Sequence, residues 1–478
     1  KTQQKGEVYM KIIQLVLQKF LLVVEKIIEL LDGKCTYPEF EAELRKLLND
    51  LGREICTEVL NELDKKIYKD KQQRKNWVVV QKDCQRTVTT VFGDITYERR
   101  YYKNKGTGET AYLADKAAGI QKYERIDAAL KADITDLSTI LSYQKSTQEL
   151  KRDGAECNIS RQTVMNTLRK IDSLQTYEKP RIKKKIEILY IEADEDHIHL
   201  QNGKAGMVKL IYVHEGKQTI TKGRNELKNP VYFSGVYEKE KIEDLWKQVW
   251  TYITNTYDED QIKRIYISGD GAEWIKFGAK YLPNAIYVLD LFHLQKYITA
   301  ALKDDKKSKK ALWKAIFKTD REKVNEILTQ KYNELGLKNP ENPVTKCQAY
   351  INNNWDGICS YSLYKNEIAG CSAESHVSHV LSERLSRGPI AWSKAGAHKM
   401  AQLRAIKAND ISLKDAVLKQ QYEALKPIEL PKQTLYKAKQ QLKKIQSIYG
   451  TITNLPILLN KKTFTSMAIK SLLSQCMI

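Results

Sequence analysis

The run Ile186-Glu-Ile-Leu-Tyr-Ile-Glu-Ala-Asp-Glu-Asp196 decides the fold. Its first eight residues, Ile186 to Ala193, are rich in apolar and β-branched side chains and predict a strand that stops against three acids. After the turn-forming Gln201-Asn-Gly-Lys-Ala-Gly206, Met207-Val-Lys-Leu-Ile-Tyr-Val213 predicts a second strand that pairs back as a hairpin. Val231-Tyr-Phe-Ser-Gly-Val-Tyr237 predicts a third. Leu245, Trp246, Val249, Trp250 and Ile253 then recur at helical spacing between Ile242 and Tyr257. Arg264-Ile-Tyr-Ile-Ser268 predicts a fourth strand, Trp274 to Tyr281 a helix, and Ala285-Ile-Tyr-Val-Leu-Asp290 a fifth strand. The later strands are almost wholly apolar, as parallel strands covered on both faces must be. Three strands in hairpin order, then helix, strand, helix, strand, is the element order of the ribonuclease H-like fold, and order alone leaves some other α/β domain as the alternative. The expected fold class is therefore α/β, with the first part of such a core at 179–295.

The acids fall where chemistry is expected. The first strand ends in Asp194-Glu195-Asp196 and the fourth in Ser268-Gly269-Asp270-Gly271. Ligands of open α/β sheets gather at the carboxyl ends of strands, which makes these acids neighbours. An acid ending an apolar strand costs desolvation unless a cation or partner neutralises it. Taken singly, Asp194, Glu195 and Asp196 are equally the cap of a strand, and Asp270 between two glycines equally a turn residue. Together, with a third acid from a helix, they suit Mg²⁺ or Mn²⁺ in an all-oxygen site. Two such ions can activate a water or a 3′ hydroxyl and stabilise the leaving oxygen of a phosphodiester. The third acid is expected in Gly370-Cys-Ser-Ala-Glu-Ser-His-Val-Ser-His379. On a helix Glu374 shares a face with Val377, Ser378 and Leu381, which would lie against the sheet and aim the carboxylate at the strand ends. His376 and His379, with Glu383 near, hint at zinc, but no second ligand cluster has metal-type spacing.

Outward from this core, residues 8–70 read as helices, and 1–70 is taken as an amino-terminal helical region. Its apolar run from Ile12 to Leu31 is broken by Lys19, Glu25, Lys26 and Glu29, which opposes a membrane span and suits a buried or dimerising helix. Trp77 to Tyr102, rich in β-branched and aromatic residues around Gly93-Asp94, predicts a small hairpin or meander within 71–115. Residues 116–178 return to helix. Ser142-Tyr-Gln-Lys-Ser-Thr-Gln-Glu-Leu150, the turn Lys151-Arg-Asp-Gly154, and Ile159-Ser-Arg-Gln-Thr-Val-Met-Asn-Thr-Leu168 follow the plan of a helix-turn-helix, with Ser160 as N-cap. Arg161, Gln162 and Asn166 would then face base edges in the major groove; an ordinary helical hairpin is the plainer alternative. Residues 296–368, with Lys303, Lys306, Lys307, Lys309, Lys310 and Lys314, read as a basic helical insertion. The core is expected to close over 369–405, and 406–478 to form a helical tail broken between Leu425 and Pro431.

At 478 residues, 42% hydrophobic and 29% charged, the chain can bury a sizeable core, which excludes a wholly disordered or fibrous protein. Its length suggests about three domains. A net charge of +21 points to an acidic partner, most often nucleic acid. The eight cysteines lie far apart with no Cys-x-x-Cys pair, which excludes a disulfide scaffold and a ribbon-type zinc site and fits a reducing compartment.

Taken together, Tyr190-Ile-Glu-Ala-Asp-Glu-Asp-His197, Ile267-Ser-Gly-Asp-Gly-Ala-Glu-Trp274, Asp290-Leu-Phe-His293, the Glu374-Ser375 helix and Ser386-Arg-Gly-Pro-Ile-Ala-Trp392 resemble bacterial insertion-sequence transposases related to Mutator-like elements, with the ISLre group the closer match. The resemblance covers most of the chain. It implies a DDE transposase that cuts and joins the ends of its own element with Mg²⁺. Carried over, Asp194 is the first acid, Asp270 the second and Glu374 the third. Asp290 and His293 would support the site or the DNA end rather than hold metal. Asp196 remains an alternative to Asp194, Glu383 to Glu374, and Asp290 to either partner.

The function expected is thus cleavage and strand transfer at terminal repeats, by a homo-oligomer in the bacterial cytoplasm at the nucleoid, with DNA and no membrane as partner. A structure-selective nuclease of the same fold, or a DNA-binding repressor on a degenerate core, are the alternatives. An RNA-binding role lacks an aromatic-basic RNP-like pattern.

Overall fold

The computed structural model describes residues 3–72, 74–152, 159–221, 224–334 and 342–424. The expected break at Leu425 to Pro431 and all of the tail beyond it lie outside these residues, as does most of the turn in the expected helix-turn-helix.

Two long helices come first, α1 (Gln3–Leu31) and α2 (Tyr37–Lys69). Thr36-Tyr-Pro-Glu39 starts α2: Pro38 sits in the first turn, and Glu39 Oε2 accepts the Thr36 N–H at 2.7 Å. Helix α2 packs on the antiparallel meander β1 (Trp77–Thr90), β2 (Gly93–Asn104) and β3 (Thr110–Tyr112). Buried Asp64 of α2 anchors the contact, accepting the Arg100 N–H at 2.9 Å and pairing with the Arg100 guanidinium. Val16, Leu17, Phe20, Ile27 and Leu31 leave an exposed apolar stripe on α1. No helix among the described residues is long and apolar enough to cross a membrane.

Short helices follow: α3 (Leu113–Ala118), α4 (Ala128–Ser138), α5 (Tyr143–Arg152) and α6 (Arg161–Lys170). Helices α4, α5 and α6 touch one another, and Ser160 Oγ caps α6 by accepting the Thr163 N–H at 3.1 Å.

The central sheet comprises β4 (Ile188–Leu200), β5 (Ala205–His214), β8 (Val231–Gly235), β9 (Arg264–Gly269) and β10 (Ala285–Leu289). A separate hairpin, β6 (Lys217–Thr221) with β7 (Arg224–Leu227), interrupts the chain before β8 and had no counterpart in the sequence reading. The order across the sheet is β10-β9-β4-β5-β8. The β4-β5-β8 part is antiparallel, and β9 and β10 join β4 in parallel through α7 (Ile242–Thr256) and α8 (Glu273–Tyr281). One face carries Leu189, Ile191, Ala193, Ile211, Val213 and Phe233 and is covered by the apolar stripe of α7, including Leu245, Trp246 and Val249.

Helices α9 (Leu291–Leu302), α10 (Lys306–Phe317), α11 (Arg321–Glu334), α12 (Pro343–Asn353) and α13 (Trp355–Leu363) form the insertion, with a core of its own against Leu289 of β10. The chain returns through α14 (Ala373–Val377), a π turn at Ser378–Ser382, and α15 (Glu383–Leu385). It adds the short strand β11 (Ala391–Trp392) beside the end of β4, then α16 (Lys394–Ala408) and α17 (Leu413–Ala424). These elements cover the second sheet face, where Ile198, Leu210 and Tyr212 share one core with Leu130 and Ile134 of α4, Val164 and Leu168 of α6, and Met400 of α16. The α4–α6 cluster is therefore built into the side of the sheet.

Candidate metal centre

The structure corrects one boundary at once. The acids after Ala193 do not end a strand, because β4 continues to Leu200 with Asp194 opposite Leu210 and Asp196 opposite Val208 on β5. What ends there is the parallel pairing: β9 accompanies β4 only as far as Glu192 beside Ser268. Asp194 thus emerges just beyond the last paired rung, next to the loop into which β9 delivers Asp270.

Side chains two residues apart share a strand face, so Glu192, Asp194 and Asp196 all point to the second face and Glu195 to the first. Glu195 is absorbed structurally, accepting the Trp274 indole N–H at 3.0 Å and lying 3.7 Å from Lys209 Nζ. Asp196 is buried, and burial pushes its carboxyl upward, while Ser386 and Ser382 oppose that rise. Asp194 is the acid that meets Asp270. One ligand atom each of Asp194, Asp270 and His293 lies within 4.8 Å of the others. Burial, with the Asp270 charge adding to it, lifts the Asp194 carboxyl to about 6, although the Glu195 N–H donates to it at 2.8 Å.

The loop carrying Asp270 is gripped from the insertion. Asp270 Oδ1 accepts the Ala272 N–H at 2.9 Å, and Tyr350 of α12 donates its hydroxyl to the Asp270 carbonyl at 2.5 Å. Gly271 has φ +100°, and a Cβ there would stand 2.3 Å from Asn354 Oδ1, so any other residue would meet both strain and collision. The third member arrives from the next strand. Asp290 caps α9, its Oδ1 accepting the Phe292 N–H at 3.0 Å, while its Oδ2 takes the His293 Nδ1 proton at 2.9 Å. That hydrogen bond raises the His293 pKa and leaves Nε2 as the free ring nitrogen.

Glu374 does not join this group. It is exposed, and its carboxylate lies 3.1 Å from Lys296 Nζ, one helical turn beyond His293 on α9. The inward face of the closing helix is Ala373, Val377 and Leu381, and Glu374 stands one position round from it. Glu383 is also elsewhere, held by His379 at 3.3 Å and Arg404 at 3.5 Å. His376 accompanies neither, since its Nδ1 meets the Tyr232 hydroxyl at 2.9 Å. His293, expected only as a support, is the residue that stands with the two aspartates.

Glu192 was not singled out from the sequence. Fully buried behind Asp194, it lies 3.1 Å from His214 Nε2 and accepts the Tyr212 hydroxyl at 2.5 Å and the Ser372 N–H. Burial opposes its charge, yet these bonds outweigh it and hold the carboxyl down at about 2. It ties the start of α14 to β4. The only available signal was its shared face with Asp194 and with Tyr212 and His214 across the hairpin.

On α6, Arg161, Gln162 and Asn166 are all exposed, with Gln162 Nε2 donating to Asn166 Oδ1 at 3.2 Å.

A family model described as an uncharacterised protein family, UPF0236, matches residues 30–422. The chain belongs to UPF0236. A UPF0236 protein of Caldanaerobacter subterraneus subsp. tengcongensis is 38% identical over 422 residues, covering 87% of this chain and 84% of its own. A second from that organism is 40% identical over 387 residues, covering 81% of each. A UPF0236 protein from the vanSb 3′ region of Streptococcus gallolyticus is 25% identical over 402 residues, covering 82% of this chain and 87% of its own. The UPF0236 match spans the meander, the sheet and the insertion alike, so the Asp194, Asp270 and His293 elements all lie inside it.

Proposed function

We propose that this chain is the transposase of an insertion sequence of the ISLre group, with a ribonuclease H-like core, and that it cleaves and joins its element's DNA ends with a divalent ion. One observation carries the reading: Asp194 and Asp270, from neighbouring parallel strands, converge with His293 at the edge of the paired sheet. The sheet order, with an antiparallel trio continued by two parallel strands, supports the fold assignment. A net charge of +21 and the exposed Lys306, Lys307, Lys310 and Lys314 of α10 suit a polyanion. A relative whose name joins eleven designations fits a gene carried in many copies.

The donor set suits the ion. Two carboxylates brought together, Asp194 buried and Asp270 half-buried, repel each other unless a cation lies between them. The imidazole nitrogen favours Mn²⁺ over Mg²⁺, which prefers oxygen donors. Asp194 and Asp270 would hold it, with His293 Nε2 as third donor, and a bound ion would lower the pKa of the attacking hydroxyl and offset charge on the leaving oxygen. Around it, Asp290 fixes the imidazole, Tyr350 and Asn354 fix the Asp270 loop, and the α10 lysines meet phosphates. In hydrolysis water adds to phosphorus and the P–O3′ bond breaks, leaving a 3′ hydroxyl and a 5′ phosphate. That hydroxyl then attacks a target phosphodiester and displaces the target's own 3′ oxygen, so bond number is conserved.

The test uses purified full chain, pre-cleaved labelled element ends and a supercoiled plasmid with Mn²⁺. Joined products that vanish with Asp270→Asn support the proposal. Cleavage of intact ends without joining makes the protein a nuclease, and binding with neither makes it a repressor.

A further inference from the structure

The amino-terminal meander carries a second site, remote in sequence from the acids. A cleft of about 450 Å³ opens between β1, β2, β3 and the loop at 122–125, lined by Arg86, Arg99, Tyr101, Tyr112, Tyr123 and Arg125 among others. Its floor is a charge imbalance. The buried carboxylate of Asp115 accepts Arg86 Nη1 at 2.6 Å and the Tyr97 hydroxyl at 2.5 Å, and it also faces Arg99 Nη1. Two guanidiniums thus share one negative charge. Arg86 is fully engaged, since its Nη2 also donates to the carbonyls of Gln121 at 2.8 Å and Glu124 at 2.6 Å. Arg99 is not: its Nε has no hydrogen-bond partner, and its Cζ lies over the Tyr112 ring, 3.5 Å from the centroid.

The rim repeats this chemistry. Lys122 and Arg125 form no ion pair with a described residue, whereas Glu124, the rim's acid, is taken by Lys131. Tyr123 between them is 85% exposed with φ +64°. A bulky residue other than glycine in the left-handed region is strained and persists where the fold imposes it, often at ligand sites. Here it holds an aromatic face out to solvent beside a cationic cleft. Tyr101 and Tyr112, 4.8 Å apart between ring centroids, extend the aromatic surface inward.

We propose that this cleft binds an unpaired nucleotide of a DNA strand, with its phosphate on Arg99, Lys122 and Arg125 and its base stacked on Tyr123. A phosphate alone would need no exposed ring, and a base stacked within a duplex has no free face to offer one. The cleft therefore selects single-stranded or frayed DNA over duplex. This inference shares with the proposed transposition only the premise that DNA is the partner, and needs neither Asp194 nor a metal.

Titrating full-length protein in EDTA with fluorescein-labelled oligothymidylate, and separately with a duplex of equal length, tests it by fluorescence anisotropy. Tyr123→Ala should weaken single-strand binding about tenfold and leave duplex binding within twofold. Tyr123→Trp should restore the affinity and show tryptophan quenching on addition of the oligonucleotide. Unchanged single-strand affinity in Tyr123→Ala, equal losses for both DNAs, or no single-strand binding by the wild type overturns the site. Because the titration excludes metal, such a failure leaves the strand-transfer experiment to stand or fall by itself.

Discussion

Replacing Asp194 by Asn tests the proposed metal centre without any DNA. In the metal-free protein the Asp194 carboxyl is lifted from 3.8 to about 6, first by burial and then by the Asp270 charge. A rise of about two pH units corresponds to about 3 kcal/mol. The folded chain binds this proton more tightly than the unfolded chain, so the contribution to stability is full below about pH 4. It is lost as pH rises towards 6, and above that the ionised carboxylate is a net cost. His293 acts in the same sense at higher pH, because its raised pKa, due chiefly to Asp290, makes its deprotonation a further loss. Asn at 194 keeps an acceptor for the Glu195 N–H and carries no charge.

In EDTA, Asp194→Asn should therefore unfold at a higher temperature than the wild type at pH 7.5, by up to about 3 kcal/mol, or a few degrees. The two should converge at pH 4. Adding MnCl₂ at pH 7.5 should reverse the order, since the ion stabilises only a protein that binds it. Scanning calorimetry over pH 4–8, with and without the ion, reads all three. A variant less stable than the wild type at pH 7.5 in EDTA, or a wild type indifferent to Mn²⁺, would refute the account of a carboxylate pair awaiting a cation.

His293→Ala should weaken Mn²⁺ binding at least tenfold by isothermal titration, with Asp290→Asn losing about tenfold through the freed imidazole. Wild-type Mn²⁺ affinity should also fall as pH drops, first as His293, whose pKa is raised above the usual 6.5, takes a proton, and again below about 6 as Asp194 does. Glu374→Gln should leave Mn²⁺ affinity of the DNA-free protein within twofold, since that carboxylate lies on Lys296; a tenfold loss would restore Glu374 as a ligand. Phe20→Glu, in the exposed stripe of α1, should shift the protein towards monomer in sedimentation velocity, and an unchanged distribution would remove α1 as the pairing helix.

What was legible follows from which signals are local. The strands of the core and their order could be read because covered parallel strands must be apolar, and Arg264–Gly269 and Ala285–Leu289 lie within a residue of their expected bounds. The acids could be read as a pair because a charge beside such a strand needs a reason. The length of β4 could not. Asp194, Glu195 and Asp196 look like a strand's end, and the strand continues because β5 pairs with it rung by rung beyond Ala193, from Leu210 opposite Asp194 to Ala205 opposite His199. The third member of the site failed for a related reason. The helix reading grouped Glu374 with Val377 and Leu381, whereas Ala373 leads the buried stripe and turns Glu374 outward to Lys296. His293 carried its signal openly, three residues after an N-capping Asp290 that also binds its Nδ1. An aspartate that both starts a helix and fixes an imidazole orients that ring's other nitrogen, so the spacing itself argues for a ligand.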